Sequence, residues 1–451
     1  MRRSKRKITV SVAVALLIIV ITVCSTAAFE LASPYDKYKG TTLVVNFPAH
    51  PHYDAVAKVL PDFTKETGIN VEVDTLQYMR MHEKQLLEMS KPSGDYDLIA
   101  YVVFWKTEYA AKGLIEPLGP FFLDPQLADP NYDPDDLIQA YVENIGLVGG
   151  KKGYLPGPTA ALYGVPFGSE TSVLGYRKDI FNKHNLKVPE TYDEMMALVH
   201  KIPKLEPGMA ALTSRGQAGH QVVHAWLLHL APLGGRIFDD QWNPVFNNPA
   251  GVKAAETLKE ILDNGPEGGT SFGFSEMKNT FLQGKSAMFL DSLAVAGEVN
   301  DPAKSKVVDK VGWAMHPKGV RRGSQTGGFG IAIPSNSKNK EAAFLLLQWL
   351  TSKATDKKIA LAGGSPSRFS TYHDAALQAK FPYYKTFGEA LKYADPDWRP
   401  IIPEWGELNA PNFGVAISEA VTGQKPVKQA LDELVPRIHE IMEKAGYYAW
   451  Q

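Results

Sequence analysis

Three short apolar stretches near the start of the chain, TLVVNF (42–47), INVEVDTL (69–76) and DLIAYVV (97–103), decide the fold of this protein. Each has the length and the apolar content of a strand. Apolar residues at helical spacing follow the first stretch over 54–67 and the second over 79–89. The third stretch is apolar throughout, as expected of a parallel strand that is covered on both faces. This alternation predicts an open α/β sheet with helices on its two faces.

A second block of the same kind begins after loops rich in Asp, Pro and Gly. In those loops Asp133 and Pro134 predict the start of a helix that runs through Leu147. A predicted strand over 163–167 precedes the second block, which begins at Thr171. The block has predicted helices over 192–201, 220–233, 249–263 and 275–283, and strands over 287–290, 311–315 and 327–334. The rest of the chain is predicted to be mostly helical, with helices that include 369–379 and 427–446. Because a chain of 451 residues is too long to fold around one ordinary hydrophobic core, we expect two lobes.

The composition is that of an ordinary globular protein, with 44% hydrophobic and 22% charged residues. The formal net charge of −1 excludes a strongly basic nucleic-acid-binding protein. The single cysteine excludes an intrachain disulfide and a cysteine-based zinc site. A disordered chain, a coiled coil and a multi-span membrane protein do not match this composition either.

The first 28 residues have the pattern of a signal peptide. Basic residues at positions 2, 3, 5, 6 and 7 precede an uncharged apolar run from Ile8 to Val23, and small residues follow from Ser25 to Ala28. The run is shorter than the roughly 20 residues that span a bilayer, so we expect export to the periplasm or the cell surface. Loss of the first 24 residues would change the formal net charge from −1 to −6. A lipid anchor at Cys24 is the alternative to cleavage near Ala28.

No motif in the chain predicts catalysis, a metal site or a cofactor site. The sequence Gly284-Lys285-Ser286 resembles the end of a phosphate-binding loop, but Asn279 stands where that loop needs its first glycine. His220 and His224 would share one helix face, as zinc ligands do, yet the chain offers no evident third ligand. We therefore expect no cofactor and interpret the two histidines as a helix-surface or cleft pair.

Polar and aromatic side chains follow several of the predicted strands. These residues are His50, Phe104, Trp105, Glu170 and Asp291. In open α/β sheets, ligands bind beyond the C-terminal ends of the strands. The five residues are therefore candidates for a binding site.

Several longer passages resemble a known family. They are Asp95–Ile99 with Tyr109–Leu118, Tyr163–Phe167 with Glu170 and Tyr176–Phe181, Thr191–Glu194, Leu212–Gln217 with Gly235–Asp239, Phe281–Phe289, Gly327–Pro334 with Asn339–Ala343, and Ile402–Leu408. Their order and spacing over most of the chain after Tyr35 resemble the extracytoplasmic solute-binding proteins of ABC transporters, in the group that binds sugars and polyols.

The resemblance implies an α/β, two-lobed, periplasmic-binding-protein-like (type II) fold with three hinge crossings and a helical C-terminal region. The implied N-terminal lobe comprises residues 34–166 and 287–328, and the C-terminal lobe comprises 167–286 and 329–451. The implied function is not enzymatic. A monomer would capture a sugar or polyol between its lobes and deliver it to an ABC-transporter membrane permease, with no nucleic acid involved.

The resemblance also adds Arg215, Gln217, Gly328 and Trp405 to the candidate ligand-binding residues. Trp105 and Trp405 would supply flat apolar faces for the C–H groups of a sugar. Glu170, Arg215 and Asp291 would each engage neighbouring hydroxyl groups through two atoms. Three further aromatic candidates lie in Gly-rich loops, namely Tyr154, Phe272 and Phe274.

Two alternatives stay open on the sequence alone. The same fold could bind another polar metabolite, including an anion held by Arg215 or Arg368. A protein of a different class, an exported carbohydrate hydrolase, would use two carboxylates such as Glu170 and Asp291.

Mass spectrometry of the mature protein distinguishes the two interpretations of the N-terminus. We expect a chain that begins close after Ala28 and has no added lipid, because Val23 precedes Cys24 where a lipidation signal prefers a small residue. A chain that begins at Cys24 with a mass increase of acyl chains would contradict this expectation.

Overall fold

A computed structural model of the protein describes residues 33–149 and 160–448, and its framework is two β-sheets. The first sheet has the strand order β2-β1-β3-β12-β6, and the second has the order β10-β7-β9-β8. Two small two-stranded sheets, β11-β13 and β4-β5, accompany them. The strands are β1 Thr42–Pro48, β2 Asn70–Leu76, β3 Leu98–Val102, β4 Leu147–Gly149, β5 Ala160–Leu162, β6 Val165–Glu170, β7 Ser172–Arg177, β8 Ala210–Thr213, β9 Ser286–Ser292, β10 Val311–Met315, β11 Ser324–Gln325, β12 Gly327–Ala332 and β13 Ala394–Asp395.

Helices pack on both sheets and make up most of the chain after β12. They are Pro51–Thr67, Tyr78–Met89, Lys106–Ala111, Gly119–Leu123, Gln139–Tyr141, Lys178–Lys183, Tyr192–Leu205, His220–Leu230, Pro249–Asp263, Phe274–Leu282, Ala296–Val299, Lys340–Thr351, Lys353–Leu361, Phe369–Tyr372, Ala375–Lys380, Tyr383–Leu391, Trp405–Leu408, Gly414–Val421 and Val427–Lys444.

The helix Pro51–Thr67 shows how local sequence sets these bounds. The Nδ1 atom of His50 accepts a hydrogen bond from the backbone N–H of His52 and so caps the first turn, with Pro51 at the next position. The helix ends at Gly68, whose φ of 75° is left-handed. The helix therefore begins three residues earlier than the sequence pattern predicts.

A single residue, Thr171, connects the first sheet to the second. Strand β6 ends at Glu170 in the first sheet, and β7 begins at Ser172 in the second. Ser172 pairs with Ser292, the last residue of β9. The C-terminal ends of β6 and β9 are therefore held next to each other.

Strand β12 returns the chain to the first sheet, where it lies antiparallel between β3 and β6. This pairing corrects part of the expected lobe boundaries. The resemblance implies that residues 287–292 and 311–315 belong to the N-terminal lobe, but β9 and β10 pair in the second sheet, where the apolar run of β9 is buried between β7 and β8. It also implies that residues 167–170 and 329–332 belong to the C-terminal lobe, but they lie in β6 and β12 of the first sheet.

The hydrophobic core is continuous around the first sheet. It extends from that sheet through the C-terminal helices to the helix His220–Leu230. Two smaller cores cover the second sheet, one around Leu174 and Met288 and the other around Phe281 and Phe289. The helical end of the chain is thus packed into the body of the protein.

The part of the chain that the structure describes has neither a membrane-spanning helix nor a cluster of metal-ligating side chains. None of its helices has both the length and the apolar character needed to cross a bilayer. It also has no group of three or more His, Cys, Asp or Glu side chains arranged to hold a metal ion. The predicted signal segment, Cys24 and Tyr154 lie outside the described residues.

Close backbone contact between β12 and β6 requires glycine at position 328. Gly328 has a φ of 95°, and a Cβ atom there would lie 2.1 Å from the carbonyl oxygen of Gly168. Gly423 also has a positive φ, 74°, but a Cβ atom there would meet no other atom within 4 Å. The two positions therefore differ in steric contact, while the left-handed backbone at either one is unfavourable for a residue that has a Cβ atom.

We expect Gly423→Ala to lower the free energy of unfolding by about 1–2 kcal/mol, the cost of a left-handed backbone. Gly328→Ala should lower it by about 3 kcal/mol or more, because overpacking against Gly168 is added to that cost. Urea titration of the two variants measures the difference. Equal losses in the two variants would contradict the close contact at β12.

Candidate functional site

A cavity lies where the ends of the two sheets face each other. It is lined by His50, Tyr78, Val102, Phe104, Glu170, Arg215, His220, His224, Phe274, Gly327, Gly328, Phe329 and Arg399. Charged, imidazole and aromatic side chains thus line the same space.

Strand direction brings the first-sheet residues together. Strands β1, β2, β3 and β6 all point the same way, and β12 runs against them. His50, Tyr78 and Phe104 follow the ends of β1, β2 and β3, while Glu170 is the last residue of β6. The start of β12 brings Gly327 and Gly328 to the same edge.

The second sheet contributes a buried ion pair between Arg215 and Asp291. Arg215 follows β8 and donates from Nε and Nη2 to both carboxylate oxygens of Asp291, at 2.8 and 2.6 Å. Burial alone would raise the pKa of Asp291, but the Arg215 guanidinium and His224 hold it well below its usual range. The Arg215 guanidinium also lies over the ring of Phe274, 4.8 Å from its centre. Arg215 is therefore fixed in place at the cavity wall.

Glu170 is a buried carboxylate with one oxygen atom, Oε1, that is available to accept a hydrogen bond. Its Oε1 atom lies 3.0 Å from Nε2 of His50, yet it has no correctly directed hydrogen bond from the described residues. Burial opposes ionisation of Glu170, but His50, Ser292 and Arg215 outweigh it and keep the pKa of this carboxyl below its usual value. The carboxylate can thus accept a hydrogen bond from a ligand.

Two histidines and a second arginine complete the polar wall. Burial lowers the pKa of His224 to about 4, with repulsion from Arg215 as the second cause, and burial also holds the pKa of His220 well below its ordinary value. Both rings are therefore neutral near pH 7. Arg399 is 3% exposed, and its guanidinium lies over the rings of Phe104 and Trp398.

Contacts across the cavity join the two halves of its wall. The side-chain amide of Gln221 donates to the hydroxyl of Tyr78 at 2.6 Å. The rings of His50 and Phe274 are stacked with centres 6.0 Å apart, and the rings of Phe104 and His220 lie 5.1 Å apart. The cavity is thus closed on several sides by its own walls.

Five of the nine residues predicted from the sequence line the cavity: His50, Phe104, Glu170, Arg215 and Gly328. Asp291 lies behind the wall and contacts it through Arg215. Gln217 is exposed and does not line the cavity, although its backbone N–H binds the carbonyl of Phe272 and so fixes the loop before Phe274. The role of these residues in ligand binding stays a prediction.

Neither predicted tryptophan reaches the cavity, which corrects the expectation of an aromatic platform at these positions. Trp105 is buried and stacks on His82 with ring centres 4.7 Å apart. Trp405 is fully buried and packs against Phe413. Both indoles are buried in the hydrophobic core. The apolar walls of the cavity are formed by phenylalanine rings instead.

Several residues of the lining were not among the binding candidates from the sequence, and Tyr78, the His220–His224 pair and Arg399 are the polar ones. Tyr78 follows the end of β2, so the rule that found His50 applies to it equally. The spacing of His220 and His224 suggests a metal-like pair, with a cleft position as one interpretation. Arg399 lies in an irregular segment that has no periodicity, so no signal in the sequence placed it near the sheets.

Comparison with known proteins identifies relatives along most of the chain. A family model described as bacterial extracellular solute-binding protein matches residues 50–357. A mannitol-binding protein of Pseudomonas aeruginosa is 30% identical over 390 residues, which cover 81% of this chain and 85% of that protein.

Solved structures give the same result for the fold. An ABC-transporter solute-binding protein of Agrobacterium radiobacter in complex with ribitol has a TM-score of 0.81 at 27% identity, covering 90% of this chain and 99% of its own. A solute-binding protein of Agrobacterium vitis with bound D-mannitol has a TM-score of 0.77 at 30% identity, with the same coverage of both chains. The expected two-lobed α/β fold is confirmed.

Buried histidines make the stability of the protein depend on pH. The pKa of His52 and of His316 is lowered to about 3, and that of His224 and of His229 to about 4, in each case mainly by burial. Because the folded state binds fewer protons than the unfolded state, the stabilisation is present above pH 6.5 and is lost as the pH falls toward 4. Asp356 acts in the opposite direction, since burial raises its pKa to about 6, but it is one group against these four histidines and His220.

We expect the free energy of unfolding, measured in urea, to fall between pH 7 and pH 5. His224→Gln should reduce this dependence by up to about 1.4 kcal/mol per pH unit. His373→Gln, at an exposed position, is the matched control and should leave the dependence unchanged. A wild-type protein whose stability rises on acidification would refute the assignment of neutral buried histidines.

Proposed function

The chain belongs to the bacterial extracellular solute-binding proteins, and from this premise we propose that it captures a small sugar or polyol in the cavity between its sheets. It would act outside the cytoplasm and deliver the ligand to the membrane permease of an ABC transporter. The segment 1–28 supports this location as the expected export signal.

The chemistry of the cavity wall carries this proposal. A polyol presents hydroxyl groups, which donate and accept hydrogen bonds, and C–H groups, which favour flat apolar surfaces. Glu170 offers a buried acceptor, and Nε of Arg399 and Nε2 of His224 are buried without hydrogen-bond partners among the described residues. The rings of Phe104 and Phe274 lie beside them. A hydroxyl-rich ligand satisfies these polar atoms, which otherwise pay the cost of burial unpaired.

Contacts that cross the cavity and limit its extent favour a small ligand over an oligosaccharide. The contact of Tyr78 with Gln221 and the stacking of His50 on Phe274 restrict its extent. A single monosaccharide or an acyclic polyol is compatible with these limits.

The balance of charge favours an uncharged ligand. Arg215 and Arg399 carry two positive charges, and Glu170 and Asp291 carry two negative charges. A sugar acid or a sugar phosphate would add a net charge to a buried site, which is costly without a further partner. The alternative of an anionic ligand also loses Arg368, whose donors all bind protein oxygens away from the cavity.

The exported hydrolase is disfavoured by the state of its second carboxylate. Both oxygens of Asp291 accept hydrogen bonds from Arg215, and Oδ1 accepts a further one from the backbone of Ser292. A carboxylate held in this way cannot act as a general acid. The relatives named above are binding proteins, and none of them supports hydrolysis.

Ligand capture would be coupled to approach of the two sheets. The contacts between Tyr78 and Gln221 and between Asp54 and Lys304 join elements of the first sheet to elements of the second. A ligand that touches both halves of the wall stabilises the closed arrangement relative to an open one. The closed form is what a permease would recognise, and a preference of about ten-thousandfold switches the population almost completely.

We expect D-mannitol or ribitol to bind the purified protein and to raise its melting temperature, with the polyol recovered unchanged. Glu170→Gln should weaken binding by at least about tenfold, because an amide replaces a charged acceptor. Isothermal titration calorimetry measures both values.

Glu341→Gln is the matched control, since Glu341 is a surface carboxylate that pairs with Lys37. It should bind with wild-type affinity. Tighter binding of D-gluconate than of any neutral sugar or polyol would refute the proposed class of ligand, and release of a cleaved product from a glycoside would refute a binding function.

A further inference from the structure

Arg399 differs from every other buried arginine that the structure describes. Arg177 pairs with Asp179, Arg215 pairs with Asp291, and Arg368 binds three carbonyl oxygens and Asp136. The Nε atom of Arg399 has no hydrogen-bond partner, and no carboxylate among the described residues lies within 4.0 Å of its guanidinium. A buried cation in this state is destabilising unless something else binds it.

Aromatic rings hold the guanidinium in one orientation. The guanidinium carbon lies 4.8 Å from the ring centre of Phe104 and 4.5 Å from that of Trp398. Such contacts stabilise a cation without using its N–H donors, which lie at the edge of the guanidinium plane. The donors therefore remain available at the cavity wall.

The backbone on either side of Arg399 is tied to several parts of the molecule. The indole N–H of Trp398 donates to the carbonyl of Thr326, just before β12. Thr107 donates to the carbonyl of Ile401, and Asn144 donates to the carbonyl of Pro396. The position of the guanidinium is thus set before any ligand arrives, which is the condition for a selective contact.

We propose that Arg399 is a specificity-determining residue that donates hydrogen bonds to two neighbouring hydroxyl oxygens of the ligand. The site would then require an intact vicinal diol in the part of the ligand that contacts Arg399. This inference rests on the proposed function. The planar fork of a guanidinium matches two adjacent oxygens, whereas the single ammonium of lysine does not. Burial, with repulsion from Arg215 as the second cause, lowers the pKa of Arg399 to about 9, as expected of a cation that lacks a protein partner.

An arginine that contacts the ligand and lacks a protein partner differs from a structural arginine in the effect of its removal. Removal of an uncompensated buried charge stabilises the protein, while removal of a ligand contact weakens binding. Arg399→Met should therefore raise the melting temperature of the ligand-free protein or leave it unchanged, and should lower the affinity for the polyol. A residue that holds the fold together would change stability in the opposite direction.

Calorimetry of wild type, Arg399→Met and Arg399→Lys measures their affinities for D-mannitol, for ribitol and for singly deoxygenated analogues of D-mannitol. The melting temperatures of the three ligand-free proteins are measured as well. We expect both variants to bind the polyol roughly 10- to 100-fold more weakly than wild type. We also expect wild type to discriminate against at least one deoxy analogue and the variants to lose that discrimination. Arg399→Lys keeps the test available if the methionine variant does not fold.

Arg368→Lys is the matched control, because Arg368 is also buried and lies 4.8 Å from the ring centre of Tyr132, but its donors bind protein oxygens. It should lower the melting temperature and leave the affinity unchanged. Wild-type affinity in Arg399→Lys, or a variant that keeps full discrimination against the deoxy analogues, would overturn the proposal. If wild type binds neither polyol nor any neutral sugar, the proposed function fails instead, and the melting temperature of Arg399→Met still decides whether its charge is uncompensated.

Discussion

The connection of two sheets through Thr171 is the constraint on which the site depends. Because one residue separates β6 from β7, the end of a strand in the first sheet must lie beside the start of a strand in the second. Pairing of Ser172 with Ser292 then brings the end of β9 to the same place. The strand ends of both sheets thus face each other, and side chains that follow them can meet only in the space between.

The charged side chains at this space are buried, so each charge there needs a partner. Arg215 and Asp291 satisfy each other through two hydrogen bonds, and His50 lies against Glu170. The histidines avoid the cost by remaining neutral. Arg399 alone among the buried arginines described has only aromatic faces beside it. The site is therefore polar, overall balanced in charge, and incomplete in hydrogen bonds, which is the state that a hydroxyl-rich ligand resolves.

The sequence predicted the sheets and the strand-end residues because both follow from local patterns. The apolar run of β3 predicts a buried strand, and ligands bind beyond the C-terminal ends of such strands. These two local signals are enough to predict His50, Phe104 and Glu170 as candidates for the site. The expected helix over 369–379 was too long, since Asp374 caps a new helix at Ala375. The expected helix through Leu147 is broken into short turns and the strand β4.

The remaining errors concern contacts between distant parts of the chain. Whether Trp105 faces a ligand or His82 depends on how the helices around it pack, and the local sequence is the same in both cases. Assignment of β9 and β12 to sheets depends on pairing partners more than 100 residues away, such as Met288 with Tyr176 and Ile331 with Ala100. Arg399 lies at the site because its irregular segment is hydrogen-bonded to Thr107, Asn144 and Thr326, which are distant from it in the sequence.

A crystal structure of the complex with D-mannitol or ribitol would show where the ligand binds. We expect a polyol between the two sheets, with hydroxyl groups within hydrogen-bond distance of the Glu170 carboxylate and of the Arg399 guanidinium, and with C–H groups against the ring of Phe104 or Phe274. A polyol bound elsewhere, or one bound in this cavity without contact to either Glu170 or Arg399, would contradict the proposed site.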